Sequence, residues 1–177
     1  MKSKITLVAC LLAAALLVSC GAHGMKDPAS VDMAAMLGSM VAGLSAGEGE
    51  LFCSQPFDGA YGFDDDILAG KYGDLISDSP EVADIVKYCA FFADEPYGPE
   101  FGVFLFDTEE NAAKMKTYIE KRFADLLRNA VNYPSVDTTL AKNMVLVCDG
   151  RWVCYCALSD NGAFGLKSYQ RVIIKIE

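Results

Sequence analysis

Between Glu100 and Asn129 the hydrophobic pattern changes period, and that change restricts the fold more than any other feature of the chain. The run "EFGVFLF" at 100–106 is apolar along the length of one strand. From Thr108 onward the apolar residues recur every three or four positions, at Ala112, Met115, Ile119, Phe123, Leu126 and Leu127. A strand therefore leads into a long helix, capped by Thr108 and running to about Asn129, with that stripe turned inward. Upstream, "DIVKYCAFFA" (84–93) is a second strand-like run, joined to the first by the turn sequence "DEPYGP". Downstream, "KNMVLVC" and "RWVCYCAL" flank Asp149-Gly150, the strongest short hairpin signal in the chain. Both faces of this hairpin are apolar, which predicts a central place in the sheet. Strands joined by short turns pair antiparallel, and the helices between them must pack on the sheet. The expectation is a two-layer α+β domain: an antiparallel sheet of about four strands, a long helix and one or two shorter helices.

The remaining segments are less patterned. In "SVDMAAMLGSMVAGL", Met33, Met36, Leu37, Met40, Val41 and Leu44 recur at helical spacing behind Ser30, which reads as the cap. Such a methionine-rich stripe is ordinarily the inner face of a core helix. Residues 47–80 are rich in glycine and aspartate and read as surface loop, with short helical turns around 65–72. Asp64, Asp65 and Asp66 lack the alternating ligand order of a calcium loop and are explained by an acid-rich helix start. Residues 160–170 suit a last helix, and "RVIIKIE" suits a closing strand.

The chain opens with Lys2 and Lys4, an apolar stretch from Ile5 to Val18, and then Ser19, Cys20 and Gly21. This is the layout of an export signal, and the apolar run is short for a span of about 20 residues. Leu17-Val18-Ser19-Cys20 resembles the bacterial lipobox. The resemblance implies cleavage after Ser19, a diacylglyceryl group on the Cys20 sulfur, and acylation (palmitate or similar) of the new amino terminus. Two or more chains are what a stable anchor requires, since burial contributes roughly 0.8 kcal/mol per CH₂ and one chain binds only marginally. Residues 1–19 are then a signal peptide, 20–29 a lipidated tether, and 30–177 a single domain. The expected location is the extracytoplasmic face of the cell membrane. Removal of Lys2 and Lys4 with the signal moves the formal charge from −9 to −11, which disfavours nucleic acid as a partner. The richest basic stretch, Lys114, Lys116, Lys121 and Arg122, alternates with acids and reads as the solvated face of the long helix.

Catalytic chemistry is sparsely provided. The single histidine, His23, lies beside the tether, so Ser-His-Asp and Cys-His arrangements lack a base. Phosphate-loop, dinucleotide and zinc-protease motifs are missing, and neither a cofactor nor a metal is expected. Five cysteines remain beyond Cys20: Cys53, Cys89, Cys148, Cys154 and Cys156. An odd number argues against a complete disulfide framework, and most read as small core residues. Cys154 and Cys156 share one strand face with Cα atoms about 6.6 Å apart, near the upper limit for a bridge. A single bridge, with Cys148 to another partner as one option, stays open. Glu100, at a strand mouth, is either a recognition carboxylate or a solvated end. Trp152 and Tyr155 stand on opposite faces of the hairpin and can form a ligand platform. Arg151 beside the turn can clamp a carboxylate. Tyr61, Tyr72 and Tyr97, in glycine-containing loops, are candidates for contact with a partner.

Three stretches, "KYGDL" (71–75), "EFGVFLFDTEENAAKMKTYIEKR" (100–122) and "NMVLVCDGRWVCYCALSDN" (143–161), together with the lipobox, resemble the bacterial lipoprotein family called domain of unknown function 4358. The resemblance implies an exported, lipid-anchored, single-domain protein of Gram-positive type with no assigned activity. The glycine-rich stretch 47–63 departs from the family pattern, and so does the missing lysine-rich terminal helix. Two functional expectations follow. One is a non-enzymatic binding module for a protein, peptide or envelope component. The alternative is an envelope enzyme that uses carboxylates or the Cys154/Cys156 thiols.

Overall fold

The computed structural model describes residues 27–43, 48–73 and 79–159. Cys20 and the export signal, Leu44, and the helix and strand expected after residue 160 lie outside the described residues. The elements run α1 (Met33–Gly43), β1 (Gly49–Cys53), β2 (Ala60–Tyr61), α2 (Asp65–Tyr72), β3 (Ile85–Ala93), β4 (Glu100–Phe106), α3 (Glu109–Ala130), a one-turn α4 (Thr139–Lys142), β5 (Val145–Asp149) and β6 (Trp152–Ala157).

The α+β class holds, with a different sheet. Six strands lie in the order β2-β1-β3-β4-β6-β5, antiparallel except for the parallel β1/β2 pair. The two strands beyond the expected four come from the stretch read as loop. β1 is only five residues, "GELFC", and β2 only two, so neither carries a readable alternation. They are strands because β3 offers an edge: Gly49 to Cys53 pair in register with Ala93 to Cys89.

The sheet is covered on both faces, so the two-layer expectation is also corrected. Helices α2 and α3 pack on one face, over a core that includes Phe52, Phe92, Phe104, Val153 and Tyr155. Helix α1 packs on the other, where Met33, Met36, Leu37 and Met40 join Cys89, Phe101, Val103, Trp152 and Cys154 in a second core. Burial on both sides explains why β4 reads as continuous apolar sequence without alternation. It also accounts for the two-faced hairpin, whose placement differs from expectation: β6 lies beside β4, and β5 is an edge strand of the sheet among the described residues. The turn residues are Gly150 and Arg151, with Asp149 paired to Trp152, and Gly150 takes φ 55° as the first central residue of the loop.

The helix starts follow local chemistry. Thr108 Oγ1 accepts from Asn111 N at 3.1 Å, and Asp64 Oδ1 accepts from Ile67 N at 2.7 Å, so the aspartate triplet is a helix start, as expected. Ser30 is not the cap of α1; it sits in a 3-10 turn over Pro28–Ser30. Asp32 Oδ1 takes the amide of Ala35, and Gln55 Oε1, from the far end of β1, takes those of Met33 and Ala34. A cap supplied from a distant strand leaves no local sequence signature.

Candidate functional site

Glu100 opens β4, and its side chain points to the α3 face, under the last turns of that helix. It is 8% exposed, the one buried charged or polar residue among the described residues. Arg122 reaches it from α3 in a bidentate pair, Nη1 to Oε1 at 2.5 Å and Nη2 to Oε2 at 2.8 Å, while Nε donates to the Lys71 carbonyl at 2.6 Å. The guanidinium lies over the rings of Phe123, Tyr72 and Phe92, 5.2 to 5.7 Å from their centroids. Arginine suits such a place because its planar fork matches a carboxylate and its weak hydration tolerates aromatic walls.

Two tyrosines complete the network. The Tyr155 hydroxyl hydrogen-bonds Glu100, and the Tyr72 and Tyr155 oxygens are 2.9 Å apart. A carboxylate can only accept, so Tyr155 donates to Glu100 and Tyr72 donates to Tyr155. Gly102, directly opposite Tyr155 in the ladder, makes room for the ring: a Cβ there would stand 2.5 Å from Tyr155 Cε1. Tyr118 donates to the Gly73 carbonyl and closes the network beside α2.

Burial pushes the Glu100 carboxyl above its ordinary range, with Arg122 as the main opposing influence. Burial works against the Arg122 charge as well, but Glu100 beside it holds that group above its ordinary value. Burial also drives the Tyr72 and Tyr155 hydroxyls far upward, so both remain neutral donors. Every polar group of the cluster thus has a partner within the protein, which is the arrangement a buried ionic network requires to be tolerated.

Two grooves meet above this network at Gly70 and Lys71, on the last turn of α2. One, of about 560 Å³, runs between α2 and α3 past Arg122, Asp125, Leu126 and Asn129. The other, of about 380 Å³, runs between α2 and the β1/β2 edge past Phe52, Ile67 and Tyr61. Lys71 pairs with Glu50 and lies over the Phe52 and Phe92 rings, so the ridge between the grooves is an ion pair on an aromatic floor. Tyr61 is 61% exposed and is the large aromatic side chain offered to solvent here.

The candidates named from the sequence are only partly gathered. Glu100 and Tyr72 meet in the network, but Glu100 is no solvated end and Tyr72 lies buried on α2, not in a loop. Tyr97, at φ 61°, donates its hydroxyl to the Leu126 carbonyl at 3.2 Å and lines a separate groove of about 500 Å³ with Pro96, Pro99, Val136 and Leu140. Arg151 lies at the far end of β4 and donates to the Asp107 carbonyl at 3.0 Å. Trp152 is 1% exposed in the α1-side core and cannot serve as a ligand platform. Trp152 and Tyr155 do occupy opposite faces.

Arg122 is the residue that sequence reasoning missed. The alternating charges place it on the solvated outer face of α3, where Lys114, Lys116 and Lys121 do pair with Glu110, Glu120 and Asp125. Its position three residues after Ile119 and next to Phe123 places it beside the buried stripe, which was the available signal.

No group of three or more His, Cys, Asp or Glu side chains is placed to hold a metal among the described residues. None of their helices is long and apolar enough to cross a membrane. Comparison with family models, with curated proteins and with solved structures yields no match for this chain.

Proposed function

We propose that this chain is a lipid-anchored lipoprotein of the bacterial cell envelope whose α+β domain is a non-enzymatic binding module outside the membrane, in keeping with the resemblance to domain of unknown function 4358. The observation that carries the binding reading is the occupation of Glu100. The carboxylate best placed for general acid or base work has both oxygens on Arg122 and a tyrosine hydroxyl as well. A group with three donors already on it and buried away from solvent builds the floor of a surface and is poorly placed to exchange a proton with a substrate. The thiols offer no better start, since Cys89 and Cys154 are wholly buried and held well above the ordinary thiol range, Cys89 by burial and Cys154 by its hydrogen bond to Cys156 and burial.

The recognition surface in this reading is the paired groove around Lys71, with exposed Tyr61 at its rim and a neutral ion pair at its centre. Aromatic side chains at the edge of a half-apolar groove suit a protein or peptide, or an envelope component with both polar and apolar parts. The test is photocrosslinking in intact cells with a photoreactive residue at Tyr61 and, as comparison, at exposed Glu110 in the first turn of α3, at the end of that helix away from the groove. A discrete adduct from Tyr61 alone is the expected result. Equal, diffuse labelling from both positions contradicts the proposal.

A further inference from the structure

Cys53 and Cys89 face one another directly across the β1/β3 ladder, on the α1 side of the sheet. The hydrogen bonds on either side define the phase of that ladder. Ser54 N donates to Tyr88 O and Asp94 N donates to Glu48 O, both at 3.0 Å, so alternate pairs counted from these are the hydrogen-bonded ones. Cys53 and Cys89 fall between them. Ala93, in phase with Cys89, accordingly donates to the Pro99 carbonyl, just before β4, and not to β1. In such a non-hydrogen-bonded pair the Cα atoms approach to about 4.5 Å, and side chains are at their closest. That separation lies within the range of about 4.4–6.8 Å that a disulfide spans. Cys154 and Cys156, two apart on one strand, sit at the upper end of it.

The two thiols differ in access. Cys89 is completely buried, whereas Cys53 is 7% exposed and lines a groove of about 610 Å³ with Ser54, Gln55, Phe57 and Tyr61. A reagent can therefore reach Cys53 and not Cys89. Burial holds both thiols above their ordinary range, so reaction is slow.

We propose that Cys53 and Cys89 form a latent cross-strand disulfide site, oxidised by thiol–disulfide exchange with a small disulfide that enters at Cys53. The Cys53 thiolate attacks one sulfur of the reagent R–S–S–R, forming a mixed disulfide. It releases one RS⁻, which takes up the proton that Cys53 gave up. The Cys89 thiolate then attacks the Cys53 sulfur, closes the bridge and releases the second RS⁻, which is protonated in turn. The protein pair is oxidised by two electrons and the reagent is reduced to two thiols. The bridge would tie β1 to β3 beside Gln55, whose backbone N–H bonds the Cys53 sulfur and whose side chain caps α1, so the sheet edge and α1 are stiffened together. The inference does not rest on the proposed anchor or binding reading, although the groove at Cys53 shares Tyr61 with the proposed recognition surface.

The test equilibrates the native full chain with mixtures of reduced and oxidised glutathione, traps free thiols by acid quench and alkylation, and maps linkages by mass spectrometry. The expected result is a Cys53–Cys89 linked peptide, formed without any other intramolecular bridge, and a higher denaturant midpoint for the oxidised protein. Cys89→Ala should retain glutathione on Cys53, the trapped first step. Cys53 and Cys89 both still alkylated in the most oxidising mixture would overturn the proposal, as would a bridge among Cys148, Cys154 and Cys156 instead. The wild-type map decides the matter even if the variant does not fold.

Discussion

Replacing Arg122 with methionine keeps most of the apolar stem between Tyr72 and Phe123 but leaves Glu100 without a counter-charge. Both side chains of the pair are largely buried, 14% and 10% exposed, so the solvent screening that makes surface pairs nearly worthless is absent. Breaking such a pair from one side costs about 3–5 kcal/mol, and the lost bond to the Lys71 carbonyl adds about 1 kcal/mol. For a domain of this size that total is roughly 8–24 °C in Tm. The deficit should depend on pH, and its sign follows from Glu100. Burial already raises the folded-state carboxyl, and removing Arg122, the main opposing influence, raises it further. The unfolded chain releases this proton in the ordinary range while the folded variant holds it. The group's contribution is therefore complete below that range and lost as pH rises through the folded value, by up to about 1.4 kcal/mol per pH unit. Urea unfolding between pH 4 and 7, followed by fluorescence of the single tryptophan, Trp152, reads this out. The variant should lie within about 1 kcal/mol of wild type near pH 4, the cost of the lost bond to the Lys71 carbonyl, and fall further behind steadily above it. The double variant Arg122→Met/Glu100→Leu should recover all but about 1 kcal/mol at pH 7. A deficit independent of pH, or a double variant no better than the single one, would refute the view that a buried, paired carboxylate lies under α3.

Gly102→Ala places a methyl group 2.5 Å from the Tyr155 ring and 2.7 Å from Phe104 in the middle of the sheet, and should cost about 1–3 kcal/mol in denaturant unfolding. A change below about 0.5 kcal/mol would show that Tyr155 does not cross over that glycine. Native alkylation at pH 8 should modify half-buried Cys148 first and Cys53 more slowly, leaving Cys89 and Cys154 unmodified until denaturant is added. Peptide mapping over time checks the order, and early labelling of Cys89 would contradict the described packing of α1 on the sheet.

Where hydrophobic period alone carries the information, the sequence and the structure agree closely. The strand at 100–106, the capped helix from Thr108 and the strand pair around Gly150 stand where expected, because each owes its form to neighbours within a few residues. β1 and β2 were illegible for the opposite reason: "GELFC" and "AY" become strands only through pairing with β3, more than thirty residues away, and with each other. The layer count went astray through the same blindness to distance, since an apolar run does not say which faces are covered or by what. At the site, Glu100 stood out as a carboxylate opening an apolar strand, but its partner did not. Arg122 was hidden by the charge pattern of α3, in which one cation at the border of the buried stripe looks like its solvated neighbours. The tyrosines show the converse error: Tyr72 next to Gly73 suggests a loop, while its ring is inside the core against Tyr155.

The anchored binding module stands or falls first on its anchor. Intact-mass analysis and membrane fractionation of the native protein, beside a Cys20→Ala variant, test it most directly. The account predicts that the wild type begins at Cys20, carries the added mass of a diacylglyceryl group and sediments with membranes, while the variant is unacylated and leaves the membrane fraction. An unmodified wild-type chain that fractionates like the variant would contradict the account.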